Sequence, residues 1–153
     1  NEDNNEVKLR AQSAIDTNLK VILCVGESLI DREKGNALKF IEKQINECLP
    51  NNFESSLIAY EPIWSIGTGK IPSVSEIQEM HEHIKEIIFK LINKKINVLY
   101  GGSVNLKNIN HILNINNVDG VLVGGASLKV KDFLAIYSAA VKHLNNSFQF
   151  KEV

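Results

Sequence analysis

The chain has 153 residues, 17 Lys and Arg against 18 Asp and Glu, a net charge near −1 and 44% hydrophobic residues. That length suits one domain with a real core. The balanced charge argues against a nucleic-acid or anionic-membrane surface, which would normally show as a basic excess, and no apolar run approaches a bilayer span. Cys24 and Cys48 form no C-x-x-C pair, so a reducing, cytoplasmic setting is the expectation. The chain starts at Asn1 without a basic and apolar leader. That predicts no signal peptide, and either a processed start or a piece of something longer.

Residues 1–5 are polar and read as a frayed lead-in. Val7, Ala11, Ala14 and Ile15 then recur at helical spacing from Glu6 to about Asn18. Val21 to Val25 is a short apolar run ended by Gly26, the pattern of a strand buried in a parallel sheet. Asp31 to Leu49 reads as one helix closed by Pro50. Leu57 to Tyr60 is a second strand. Ser73 with Glu76 forms a capping box that opens a long helix carrying Ile77, Met80, Ile84, Ile87, Ile88 and Leu91. Ile96 to Tyr100 is a third strand, Asn105 to about Asn114 a short helix, and Gly120 to Val123 a fourth strand. Lys131 to Leu144 is the last helix, with Phe133, Leu134, Tyr137, Ala140, Val141 and Leu144 as its stripe. Strands alternating with helices predict a parallel α/β architecture.

In such folds ligands bind at the C-terminal ends of the strands. Four segments lie there: Cys24 to Glu27, Glu61 to Lys70, Gly101 to Ser103, and Gly124 to Ser127. Glu61 leaves an apolar strand directly. Partial desolvation there would raise its pKa toward the range of a general base, although a salt-bridged structural Glu fits the position as well. Pro62 to Lys70 reads as a hinged loop with an apolar underside from Trp64 and Ile66, able to close over a site and exclude water. It is no P-loop, because Trp64 and Ile71 stand where a Gly and a Ser or Thr are needed. It is no dinucleotide fingerprint either, because Pro72 replaces the third Gly.

Gly101-Gly102-Ser103 and Gly124-Gly125 join strands to helix starts, where bare backbone N–H groups can approach a phosphate. Tight turns alone would explain either pair, and both together less well. His81 and His83 lack metal-ligand spacing, so no metal is expected. His111 and His143 read as surface residues, and Cys24 as a packed core thiol.

Four stretches resemble the triosephosphate isomerase family, in the same order. They are Cys24 to Glu27, Ala59 to Lys70, Tyr100 to Val104, and Asp119 to Leu128. The likeness runs from about Glu6 to Leu144. It implies a (β/α)₈ barrel of which residues 1–153 form one partial domain, strands five to eight, with the N-terminal half missing. It further implies Glu61 as the base that interconverts glyceraldehyde 3-phosphate and dihydroxyacetone phosphate through an enediolate, without cofactor or metal. Pro62, Trp64, Ile66, Gly67, Thr68, Gly69 and Lys70 become the lid. The N–H of Gly67, with Ser103, Gly124 and Gly125, becomes the phosphate site. Glu27, Trp64 and Tyr100 resemble residues that hold the lid in place.

The family's electrophilic His, its Gly-His-Ser-Glu-Arg-Arg motif and its first-strand Asn-x-Lys would lie before residue 1. The 153-residue piece alone is therefore expected to be inactive, with two open sheet edges. The full-length form is expected to be a homodimer. A non-catalytic half-barrel that binds phosphate or assembles with a partner chain is the alternative. An aldolase-like barrel would need a Schiff-base Lys inside a strand, and the four apolar runs contain none.

Overall fold

A computed structural model describes residues 2–149. Helix α1 spans Asn4–Asp16 and β1 Ile22–Val25. Two helices follow, α2 over Leu29–Glu33 and α3 over Ala37–Cys48, then β2 over Leu57–Tyr60. Helix α4 covers Val74–Ile92, β3 Val98–Tyr100, α5 Ile109–Leu113, β4 Gly120–Val121 and α6 Val130–Gln149.

Several boundaries differ from the sequence reading for local reasons. The supposed lead-in already contains the cap of α1: the Asp3 carboxylate accepts from Glu6 N, and Asp3 N donates back to the Glu6 carboxylate. This capping box satisfies two of the N–H groups that a helix start leaves unpaired. The single helix expected from Asp31 to Leu49 is two, because Gly35 sits at φ +71 and ends α2. Such a left-handed residue cannot continue a right-handed helix. The capping box of Ser73 and Glu76 opens α4 as expected.

The four strands run parallel in the order β1-β2-β3-β4. Leu23, Val25, Ile58, Tyr60, Val98 and Tyr100 point to the helix-covered face and are buried against Ile41 and Ile45 of α3 and Ile77, Met80, Ile84 and Ile88 of α4. The alternate residues Ile22 and Cys24 are exposed, and Leu57 and Leu99 are half-buried. Helices thus cover one face, and the other is open among the described residues. The expected core stripe of α6 is shifted too. Among its described side chains Ile136 is the buried one, while Phe133, Leu134, Tyr137 and Leu144 are exposed. Phe133, Tyr137 and Leu144 line a cleft of about 450 Å³ beside β4.

The ladder continues one residue past each strand. Glu61 N donates to Val25 O (2.7 Å), Gly101 N to Tyr60 O (2.8 Å) and Leu122 N to Tyr100 O (2.9 Å). The four strand ends are thereby fixed side by side on one rim, with Glu61 on it.

Candidate active site

A cleft of about 560 Å³ opens on that rim. It is lined by Glu61, Ile66, Gly67, Gly69, Gly101 to Asn105 and Leu122 to Ala126. Of the residues singled out from sequence, Glu61, Ile66, Gly67, Gly69, Ser103, Gly124 and Gly125 therefore share one cavity. Pro62, Trp64, Thr68 and Lys70 do not line it.

The Glu61 carboxyl is half-buried, and burial raises its pKa above the ordinary carboxylate range. The Cys24 thiol donates a hydrogen bond to it and partly offsets the rise. Cys24 is thus not a core thiol. It projects onto the open face of the sheet as an exposed residue, two positions along β1 from exposed Ile22. Desolvation, followed by the Glu61 charge, pushes its own pKa up to about 11. Gly101 is required beside the carboxylate, because a Cβ there would lie 2.5 Å from Glu61 Cγ and 2.9 Å from Oε1.

The loop after Glu61 begins as a 3₁₀ turn, Ile63–Ser65. Trp64 does not supply an apolar underside. It turns away from the cavity, and its indole Nε1 donates to Glu27 Oε1 at 3.0 Å. The same oxygen accepts from Arg32 Nε (3.0 Å), Arg32 Nη2 (2.9 Å) and the Tyr60 hydroxyl (3.1 Å). Glu27 is wholly buried, so this charged cluster anchors the first end of the loop in the protein. Burial and the Glu27 charge raise the Tyr60 pKa well above the phenol range, so the hydroxyl stays protonated.

Further along, the loop closes on itself. Ser65 Oγ donates to Lys70 O (2.6 Å), Thr68 Oγ1 to Trp64 O (3.0 Å), and Lys70 N to Thr68 Oγ1 (3.1 Å). Ser65 also meets the neighbouring rim loop: Ser103 Oγ donates to Ser65 O (2.6 Å) and Ser103 N to Ser65 Oγ (3.3 Å).

The sequence reading gave Arg32 and Ser65 no role, although Ser65 lies within the Glu61 to Lys70 segment it singled out. The sequence reading weighed His81 only as a metal ligand. It is fully buried, with its ring edge-on to Tyr60 and Nδ1 3.2 Å from Asn117 O, while His83 meets Leu38 O. Its place on the Ile77, Ile84 and Ile88 stripe was the available signal. Among the described residues, no group of three or more His, Cys, Asp or Glu side chains could hold a metal. Among the same residues, no helix is long and apolar enough to cross a membrane.

A parallel βα sheet with a carboxylate and glycine-rich loops gathered on its C-terminal rim defines part of a TIM barrel. Its relatives specify it further. Residues 1–140 match the triosephosphate isomerase family, and the chain belongs to that family. It is 43% identical over 138 residues to the triosephosphate isomerase of Rhizobium meliloti (strain 1021), covering 87% of this chain and 54% of the relative. It is 44% identical over 146 residues to that of Chelativorans sp. (strain BNC1), covering 92% and 57%. The crystal structure of triosephosphate isomerase from Bartonella henselae superposes with a TM-score of 0.81 at 33% identity, over 90% of this chain and 57% of that one. The chain spans about half the length of the relatives it matches.

Proposed function

We propose that this chain carries the base, lid and phosphate cradle of a triosephosphate isomerase. The observation that supports it most is the convergence of a desolvated Glu61 with Gly67, Ser103, Gly124 and Gly125 around one open cleft. In this reading Glu61 takes a proton from the carbon next to the carbonyl of a bound triose phosphate. The electron pair moves onto the carbonyl oxygen to give an enediolate, and the proton returns to the neighbouring carbon. The raised pKa makes Glu61 a stronger base than an exposed carboxylate. Backbone N–H groups of the glycine-rich loops hold the phosphate, and the Pro62 to Lys70 loop closes over it with Ile66 inward.

The reaction also needs a donor to the carbonyl oxygen. By family resemblance that is a His in the part of the barrel before residue 1, so the 153-residue chain alone turns over no substrate. The whole enzyme is then a cytoplasmic homodimer that needs neither cofactor nor metal. A coupled assay is expected to show no turnover by the chain alone. It is expected to show turnover by a product of whole-barrel length, reduced at least about 10²-fold by Glu61→Gln. Near-normal rates from the variant would overturn the assignment of the base.

The exposed apolar cleft between β4 and α6 favours a second reading, a half-barrel that docks a partner chain. The intact mass of the native product separates the two, since a whole barrel has about 250 residues.

A further inference from the structure

The Ser65 hydroxyl has no part in the chemistry proposed above, yet it is fully buried at the junction of the two rim loops. Its oxygen does two things at once. It donates to Lys70 O, tying the start of the lid to its far end, and it accepts the Ser103 N–H. That N–H belongs to the glycine-rich loop lining the anion cleft. A phosphate oxygen entering the cleft would seek the same donor, because one N–H makes one strong hydrogen bond at a time.

We propose that Ser65 is a latch, a positioning residue whose hydroxyl occupies the Ser103 N–H until a phosphate displaces it. The inference rests on the phosphate-cradle reading of this site. Displacement frees Ser65 Oγ from the Gly101 to Ser103 loop, so arrival of the anion is transmitted to the lid. The Ser103 Oγ bond to Ser65 O holds the same two loops together from the other side. Release of the hydroxyl therefore loosens the junction without severing it. An anion must then compete with an internal hydrogen bond, which lowers its apparent affinity in the resting chain.

Ser65→Ala removes the competitor and leaves Glu61 and the cavity lining untouched. The probe is inorganic phosphate, titrated by calorimetry against the 153-residue chain. Hydrogen exchange at the Ser103 amide is read on the ligand-free chain, and a far-UV melt certifies folding. A net hydrogen bond corresponds to roughly a two- to tenfold change in affinity. Expected are phosphate binding tightened by about that factor in Ser65→Ala and faster exchange at Ser103. Ser65→Thr, which keeps the hydroxyl, is expected to retain both parental values. Unchanged or weaker phosphate binding by a folded Ser65→Ala chain, with the parent binding phosphate, overturns the latch and leaves the functional reading standing. Failure of the parent to bind millimolar phosphate at all overturns the cradle, and the latch with it.

Discussion

Removing the Glu27 carboxylate tests what fixes the Pro62 to Lys70 loop to the body of the protein. Glu27→Leu deletes one oxygen that accepts four hydrogen bonds, from Arg32 Nε, Arg32 Nη2, Tyr60 Oη and Trp64 Nε1. Arg32 is only 14% exposed and keeps Glu76 at 3.9 Å as its remaining ionic partner. A buried pair broken on one side costs about 3–5 kcal/mol, chiefly because the surviving charge stays desolvated. At roughly 2–4 °C per kcal/mol for a chain of this size, the melting point should fall by about 6–20 °C. Glu27→Gln keeps the shape and an acceptor, so it should cost about half as much. Trp64 is the sole tryptophan, which makes indole emission a direct reading of whether the loop anchor has let go. The double variant Glu27→Leu with Arg32→Leu should recover at least half of the loss, since no charge is then stranded. A Glu27→Leu chain losing less than about 1 kcal/mol, with unshifted emission, would refute the view that this cluster anchors the loop.

Other consequences concern protons. The folded chain holds the Glu61 proton more tightly than the unfolded chain does, so stability falls as pH rises from the ordinary carboxylate range through the raised value. Glu61→Gln should therefore melt higher than the parent at pH 7 and alike at pH 4 or below, as read by calorimetric scans. Burial pushes the His81 pKa down to about 4, with the Asn117 carbonyl acting against the shift. Both states are neutral above the unfolded value of about 6.5. Urea unfolding should lose about 3 kcal/mol between there and pH 4, and His81→Leu should remove that slope. Cys24, exposed yet with its thiol raised to about 11, should alkylate roughly tenfold or more slowly than free cysteine at pH 8. Glu61→Gln should speed that reaction, and equal rates in the two chains would remove Glu61 as a cause of the shift.

The elements were legible in the sequence where one physical signal dominated. Leu57 to Tyr60 is a strand because nothing polar interrupts it, and α4 begins where the Ser73 and Glu76 box places it. The rim glycines and Glu61 were legible for the same reason, as polar or bare residues directly after apolar runs. What escaped depends on distance in sequence. Arg32 reaches Tyr60 across 28 residues, and Ser65 reaches Ser103 across 38. No local pattern encodes such a meeting. Cys24 was misread because alternation says which residues share a face of a strand and not which face is covered. The stripe of α6 failed likewise: Phe133, Tyr137 and Leu144 form an apolar face in sequence and an open one in the fold.

The strand order has a consequence for synthesis. Among the described residues, each strand after β1 pairs with the one made immediately before it. At ribosomal speeds of about 5–20 residues per second, the span from Ile22 to Val121 takes roughly 5–20 s, far longer than local pairing needs. The sheet can therefore grow like masonry laid from one end, each course resting on the last. Glu61 is seated as soon as β2 docks on β1, whereas Gly124 and Gly125 emerge only after β4. During birth on the ribosome Glu61 is in position before the glycine-rich loops of the proposed phosphate cradle have been built.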